Sequence, residues 1–277
     1  MPTTAEKRAA FRALHESGCF ILPNPWDIGG ARYLERLGFK ALATTSAGHA
    51  WSRGRADGRQ SRQAVLAHLT EMAAATALPV NADFESGFAE DADGVAESVR
   101  LAVATGIAGL SIEDSTGDPR QPLRGIDEAV ARLRAARAAI DACGGDTLLV
   151  ARAENYFAGQ PDLDDVLRRL AAYAEAGADC LYAPGLRTRE EIRAVVAAVA
   201  PKPVNVLAGP TGLDTLGEFA ELGVRRVSLG GALARAAWSG FMKAAQSLAS
   251  DGRFEGLAGA PGNAELNALF APSGDEG

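Results

Sequence analysis

Eight short apolar runs rich in Val, Ile and Leu alternate with longer amphipathic segments along this chain. The spacing predicts strands near Cys19–Pro23, Lys40–Thr45, Pro79–Asp83, Gly109–Glu113, Thr147–Arg152, Cys180–Ala183, Pro203–Leu207 and Arg225–Leu229. Helical patterns fall near Ile28–Leu37, Arg62–Ala77, Ala92–Thr105, Ile126–Asp141, Asp162–Ala176, Thr188–Val199, Leu213–Leu222 and Gly231–Ala249. Strict strand–helix alternation of this length is the pattern of an α/β fold, a (β/α)8 TIM barrel. Four helix ends repeat one solution, with Gly38, Gly106, Gly177 and Gly223 placed where a left-handed capping residue is needed. A doubly wound open sheet would want a glycine-rich fingerprint after the first strand, and none is present. The reading is one barrel domain over residues 1–249, then a tail over 250–277 with a short helix at Ala264–Phe270.

Active faces of such barrels lie at the carboxyl ends of the strands. Here those ends are polar. Asn24-Pro25-Trp26-Asp27, Thr44-Thr45-Ser46-Ala47-Gly48-His49, Asp83 and Glu85, Glu113 and Asp114, Arg152 and Glu154, Tyr182, Asn205 and Ser228 follow one another in strand order. Asp83 and Glu85 are two residues apart, so in an extended segment they share one side. Paired carboxylates at a strand end suit a hard divalent cation, Mg²⁺ first and Mn²⁺ second, held through one or two direct oxygens and several waters. Each polar group also has a plain alternative: helix capping for Asp27 and Ser46, an ion pair with Glu154 for Arg152, packing for Trp26 and Tyr182.

Composition excludes other roles. Net charge is −7 over 277 residues, which argues against nucleic-acid or anionic-membrane partners, since both need a basic face. No apolar run approaches 20 residues, and the charged start, Met1 to Arg8, lacks the apolar centre of a signal peptide. Three cysteines (Cys19, Cys143 and Cys180) have no metal-type spacing and suit reduced thiols in a cytoplasm.

Asp83-Phe84-Glu85-Ser86-Gly87, then Ser111-Ile112-Glu113-Asp114, then Ala151-Arg152-Ala153-Glu154 resemble the isocitrate lyase/phosphoenolpyruvate mutase superfamily. Asn24-Pro25-Trp26-Asp27, Thr44-Thr45-Ser46-Ala47-Gly48 and Gly177-Ala178-Asp179 agree with it, and the likeness runs from about residue 7 to about 245. It implies an enzyme that binds a small 2-oxo or 2-hydroxy carboxylate on Mg²⁺ and breaks or makes a bond beside the enolate. It implies Asp83 as the most direct metal ligand, with Glu85 and Glu113 acting directly or through water. Ser46, with Thr45 and the backbone of Ala47 and Gly48, would hold the substrate carboxylate, and Arg152 would bridge carboxylate and enolate oxygen. Asp57 would orient a metal-bound water. Trp26 is expected in the pocket wall, Asn205 either binding a distal carboxylate or capping the rim, and Tyr182 as a pocket wall or hydroxyl donor. A cation and a guanidinium at the 2-oxo oxygen stabilise charge where it develops.

One loop departs from the resemblance. Lyases of the superfamily carry a Lys-Lys/Arg-Cys-Gly-His segment after the Glu-Asp motif; here it reads Ser115-Thr116-Gly117-Asp118-Pro119-Arg120-Gln121-Pro122-Leu123, without Cys or His. Pro119-Arg120 resembles the Pro-Lys of phosphonomutase loops, yet Pro122 stands where those loops place an asparagine. Three activities follow as expectations. The first is a Mg²⁺-dependent carbon–carbon lyase on a small di- or tricarboxylate, acting by oxaloacetate-type decarboxylation or by low-activity isocitrate-type cleavage. The second is P–C chemistry on phosphonopyruvate, with Arg120 on the phosphonate. The third is a 2-oxo-acid binder without turnover. Decarboxylation needs no thiol; retro-aldol cleavage needs a base, for which Tyr182, His49 or water would have to serve. His15 has little claim to a role. The Gly231–Ala249 helix is apolar on more than one face, which, with the resemblance, predicts exchange of that helix between subunits of a homodimer or homotetramer.

Overall fold

A computed structural model describes residues 1–271 of the chain; the end of the expected tail, 272–277, lies outside the described residues. Eight parallel strands form one sheet: β1 (Phe20–Leu22), β2 (Leu42–Ala43), β3 (Val80–Asp83), β4 (Gly109–Glu113), β5 (Leu148–Arg152), β6 (Cys180–Tyr182), β7 (Val204–Leu207) and β8 (Arg226–Ser228). Neighbours run β1-β8-β7-β6-β5-β4-β3-β2, every pair parallel. The remaining seam, between β1 and β2, is bridged by the Ala43 N–H donating to the Pro23 carbonyl at 3.0 Å. Asn24 reinforces it: Nδ2 donates to the Thr44 carbonyl, and Oδ1 accepts from the N–H groups of Leu229 and Gly230 beyond β8. The chain is therefore a (β/α)8 barrel, as the alternation predicts.

Helices alternate with the strands: α1 (Thr4–Leu14), α2 (Ile28–Arg36), α3 (Ser46–Ser52), α4 (Arg62–Ala75), α5 (Ala92–Ala104), α6 (Ile126–Ala142), α7 (Leu163–Glu175), α8 (Arg189–Val199), α9 (Leu216–Glu221), α10 (Ala232–Asp251) and α11 (Asn263–Phe270). Gly38, Gly106, Gly177 and Gly223 all take positive φ, from 83° to 101°, as helix ends of this type require. Helix α9 starts three residues later than the sequence pattern suggests. Thr215 caps it in a reciprocal box with Glu218, which fixes the first turn there.

Two helices were not expected. Helix α1, capped by a box between Thr3 and Glu6, closes the amino-terminal mouth of the barrel. Its Phe11 packs with Phe20, Leu22, Ala41, Ala43, Ala108 and Leu148 as a lower core layer. Helix α3 follows β2 directly, in the segment read as a polar turn. The larger core lies between the sheet and the outer helices, where Val, Leu and Ile of alternate strand positions meet α5 to α8.

Helix α10 differs from the rest. Only Ala234 along its 20 residues is buried, and Trp238, Phe241 and Met242 are exposed. No helix among the described residues is long and apolar enough to cross a membrane. The three cysteines are unpaired.

Candidate active site

Period-2 alternation puts Asp83, Glu113, Arg152 and Tyr182 on the inner face of adjacent strands, at their carboxyl ends. Arg152 stands at the centre of a carboxylate cluster. Its Nη1 lies 3.3 Å from Asp83 Oδ1 and 3.1 Å from Glu113 Oε2, and its Nε contacts Glu154. Its guanidinium also sits 5.5 Å from the centre of the Tyr182 ring. Burial opposes the charge on Arg152, but Glu154, Glu113 and Asp83 more than reverse that, so it stays above its ordinary value. Burial pushes Glu113 up, against the pull of Arg152. Asp114, next in sequence, points the other way. It accepts from Arg169 and Tyr173 and from the Glu154 N–H, so it ties β4 to β5 behind the site.

Glu85 lies just past β3 in the left-handed region, at φ 46°. The expected extended geometry therefore ends at Asp83, and a turn, not strand pleating, brings Glu85 back toward it. Its Oε1 is buried without a hydrogen-bond partner. Burial, then Asp83 and Asp57, raise its pKa to about 7. Four carboxylates (Asp83, Glu85, Glu113 and Glu154) thus face one guanidinium, and one carboxylate oxygen is orphaned. That surplus of hard, negative oxygens fits a hard divalent cation. Among the described residues no group of three or more His, Cys, Asp or Glu closes around one point. A cage made wholly of protein is therefore absent, and the residues fit a cation that takes one or two carboxylates and fills its shell with water and substrate.

Above the cluster opens a cavity of about 270 Å³. Thr45, Ser46, Ala47, Asp57, Asp83, Arg152, Tyr182 and Asn205 line it, so most of the expected site converges. Thr45 caps α3, accepting from the Gly48 N–H at 3.3 Å, and the Ser46 N–H donates to Asp83 Oδ2 at 2.9 Å. The Ala47 N–H is left for a ligand. Glu85 and Glu113 lie outside the lining, and so do Gly48 and Trp26. A Cβ on Gly48 would meet Thr45 at 2.7 Å and the Trp26 Cβ at 2.9 Å, so these residues pack α3 against the barrel. The aromatic wall comes instead from Trp51 of α3 and from Phe157.

Sequence reasoning passed over Asn81, Ser111, Trp51, Phe157, Arg226 and Arg235 as lining residues. Arg226 had a usable signal. In a period-2 strand, Arg225 and Arg226 must point to opposite faces, so one of them enters the barrel.

Among the described residues the lining contains no Cys and no His. His49 stacks on His68 instead, ring centres 3.8 Å apart. Burial raises Tyr182 to about 12, which keeps its hydroxyl protonated at neutral pH. In the loop after β4, Arg120 pairs with its neighbour Asp118 and is almost wholly exposed.

The family model for phosphoenolpyruvate phosphomutase matches residues 11–249. The chain belongs to the phosphoenolpyruvate mutase/isocitrate lyase superfamily. A solved structure of a candidate lyase/mutase from Burkholderia cenocepacia J2315 is 49% identical, with TM-score 0.94 over 98% of both chains. Oxaloacetate acetylhydrolase, solved with its product oxalate, is 27% identical with TM-score 0.85, over 96% of this chain and 93% of that one. An uncharacterised protein of Mycobacterium tuberculosis is 33% identical over 80% of this chain and 81% of its own length. The oxaloacetate decarboxylase of Bradyrhizobium diazoefficiens is 33% identical over 47% of this chain and 45% of its own. Within the superfamily this chain is an enzyme of the lyase class.

Proposed function

We propose a Mg²⁺-dependent carbon–carbon lyase that decarboxylates a small 2-oxo di- or tricarboxylate. One observation carries the reading: the cavity presents charge-stabilising groups and no thiol or imidazole. Loss of CO₂ from a 3-carboxylated 2-oxo acid needs only stabilisation of the enolate, with no base to start it. Retro-aldol cleavage needs a base, and His49 is stacked away while Tyr182 is protonated. The likeness to oxaloacetate decarboxylases and to an oxaloacetate acetylhydrolase supports the same substrate class.

Asp83, with Glu85 and Glu113 directly or through water, would hold the Mg²⁺, which when bound polarises the 2-oxo group. The chain's own residues do the rest. The Ala47 N–H and Ser46 orient the substrate's first carboxylate at the start of α3. Arg152 stabilises charge gathering on the 2-oxo oxygen as the C–C bond breaks. The Tyr182 hydroxyl, beside Arg152, is placed to return a proton to the enolate carbon. Trp51 and Phe157 give the mouth an apolar wall. P–C chemistry has less support, since Arg120 is paired and exposed outside this cavity. The exposed apolar face of α10 suits exchange between subunits of a homodimer or homotetramer, and the unpaired cysteines suit a cytoplasm.

NMR-followed turnover with Mg²⁺ on oxaloacetate, isocitrate, 2-methylisocitrate and phosphonopyruvate tests this reading, with EDTA and Asp83→Ala controls. Metal-dependent loss of CO₂ from oxaloacetate above the Asp83→Ala background is expected. Turnover of phosphonopyruvate alone would sink it.

A further inference from the structure

The interior of a (β/α)8 barrel is ordinarily packed with branched apolar side chains. Beneath the rim of this one lies a polar floor. Asn205 of β7 and Arg226 of β8 are register partners facing inward, and Asn81 of β3 reaches the same guanidinium. All three line the cavity.

Arg226 is 2% exposed and has no carboxylate partner among the described residues. Its Nε donates to Asn205 Oδ1 at 2.9 Å, and its Nη1 lies 3.5 Å from Asn81 Oδ1 and 3.3 Å from His15 Nε2. His15 Nδ1 is 2.8 Å from the Phe11 carbonyl, so Nδ1 carries the proton and Nε2 offers a lone pair. Burial and the nearby Arg226 push His15 down to about 3, so it adds no charge. The Nη2 of Arg226 has no hydrogen-bond partner among the described residues. Asp83, Glu113 and Glu154 are all engaged by Arg152. An isolated buried cation costs several kcal/mol unless an anion joins it.

We propose that Arg226, with Asn205, forms an anion subsite in the barrel floor that takes a second acid group of the substrate. It lies two strand residues below Ser228, or about 6.6 Å beneath the rim. That places the 2-oxo acid end at Ser46 and Arg152 and the second acid group below it. The subsite suits an acid group that stays on the product. A carboxylate leaving as CO₂ loses its charge, so a guanidinium gripping it would stabilise the ground state and slow the reaction. The favoured substrate is therefore longer than oxaloacetate, with a leaving carboxylate on C3, β to the 2-oxo group, and a retained acid arm. The subsite itself takes from the proposed function only that the ligand is a 2-oxo acid; the choice of retained acid group rests on the decarboxylation.

A strut joining β8, β7, β3 and α1 would show the same hydrogen bonds, so the test must separate strut from subsite. Calorimetric binding with Mg²⁺ present compares 2-oxoglutarate, 2-oxopentanoate and oxalate on the full chain. The wild type is expected to bind 2-oxoglutarate at least ~10-fold more tightly than 2-oxopentanoate, the contribution of a charge-assisted contact. Arg226→Met should erase that preference while changing oxalate affinity less than about 3-fold, and Arg226→Lys should restore part of it. No preference in the wild type, or equal weakening of all three acids in Arg226→Met, overturns the subsite. If the Met variant does not fold, the wild-type preference and its reduction in Arg226→Lys decide. Selective binding without turnover of any candidate would refute the lyase reading and leave the subsite standing.

Discussion

The Ser46 N–H donates to Asp83 Oδ2 across 2.9 Å, joining the first turn of α3 to the end of β3. Asp83 therefore has two jobs that substitution can separate. Asp83→Asn keeps an acceptor for Ser46 but removes the charge, whereas Asp83→Ala removes both. Both should lower turnover at least ~10²-fold. Only Asp83→Ala should also loosen α3, read as faster amide exchange at Ala47 to Ala50. Equal exchange in the two variants would show that this hydrogen bond does not position the turn.

Arg152 counters three carboxylates at once. Arg152→Met leaves Asp83, Glu113 and Glu154 buried beside one another without a cation. A destabilisation of ~3–5 kcal/mol in urea unfolding is expected, with loss of turnover. Mg²⁺ should recover part of that stability, since it replaces some of the missing charge. Unchanged stability would mean that the carboxylates simply take up protons in place of the pair.

The strands and the rim were legible because each strand is an apolar run and each polar rim residue ends one. Asp83, Glu113, Arg152 and Tyr182 could be placed on one face by position alone. Helix α3 was not legible: seven residues with a central Gly48 show no apolar period, and its Thr45 cap reads equally well as a turn. That error moved the aromatic wall to Trp26, when the helix actually presents Trp51. The floor was hidden for another reason. Asn81 is a single polar residue beside an apolar run, and which of Arg225 and Arg226 turns inward depends on a barrel register that no local pattern states.

Two histidines set an acid limit. Burial, then Arg226, hold His15 at about 3; burial, then His49 and Arg53, do the same for His68. In the unfolded chain both return to about 6.5. Between those values the unfolded chain binds protons that the fold excludes, so stability is complete above about pH 6.5 and falls as pH drops toward 3. The raised carboxylates of the site act in the opposite sense, so one variant must isolate the effect. The stability of wild type relative to His68→Gln should decline steadily from pH 7 to pH 4 in urea unfolding. Parallel curves would show that His68 titrates normally.

Helix α10 exposes Trp238, Phe241 and Met242, at 38%, 64% and 50%. Large apolar side chains grouped on one helix suit a partner surface. Light scattering is expected to give a dimer or tetramer for the wild type, and Phe241→Glu should shift it toward monomer. A monomeric wild type in dilute solution would end the proposal of helix exchange.

Glu85 ties metal binding to pH. With Oε1 unpartnered and its pKa raised to about 7, Glu85 is poised to hold a proton near neutral pH without metal. A cation must displace that proton. Calorimetric titration of Mg²⁺ at pH 7, in two buffers of different ionisation enthalpy, should report net release of protons as the ion binds. Affinity should rise as pH climbs through 7 and then level off, and Glu85→Gln should bind Mg²⁺ more weakly with little proton release. Full affinity in that variant would place the ion on Asp83 and Glu113 without Glu85.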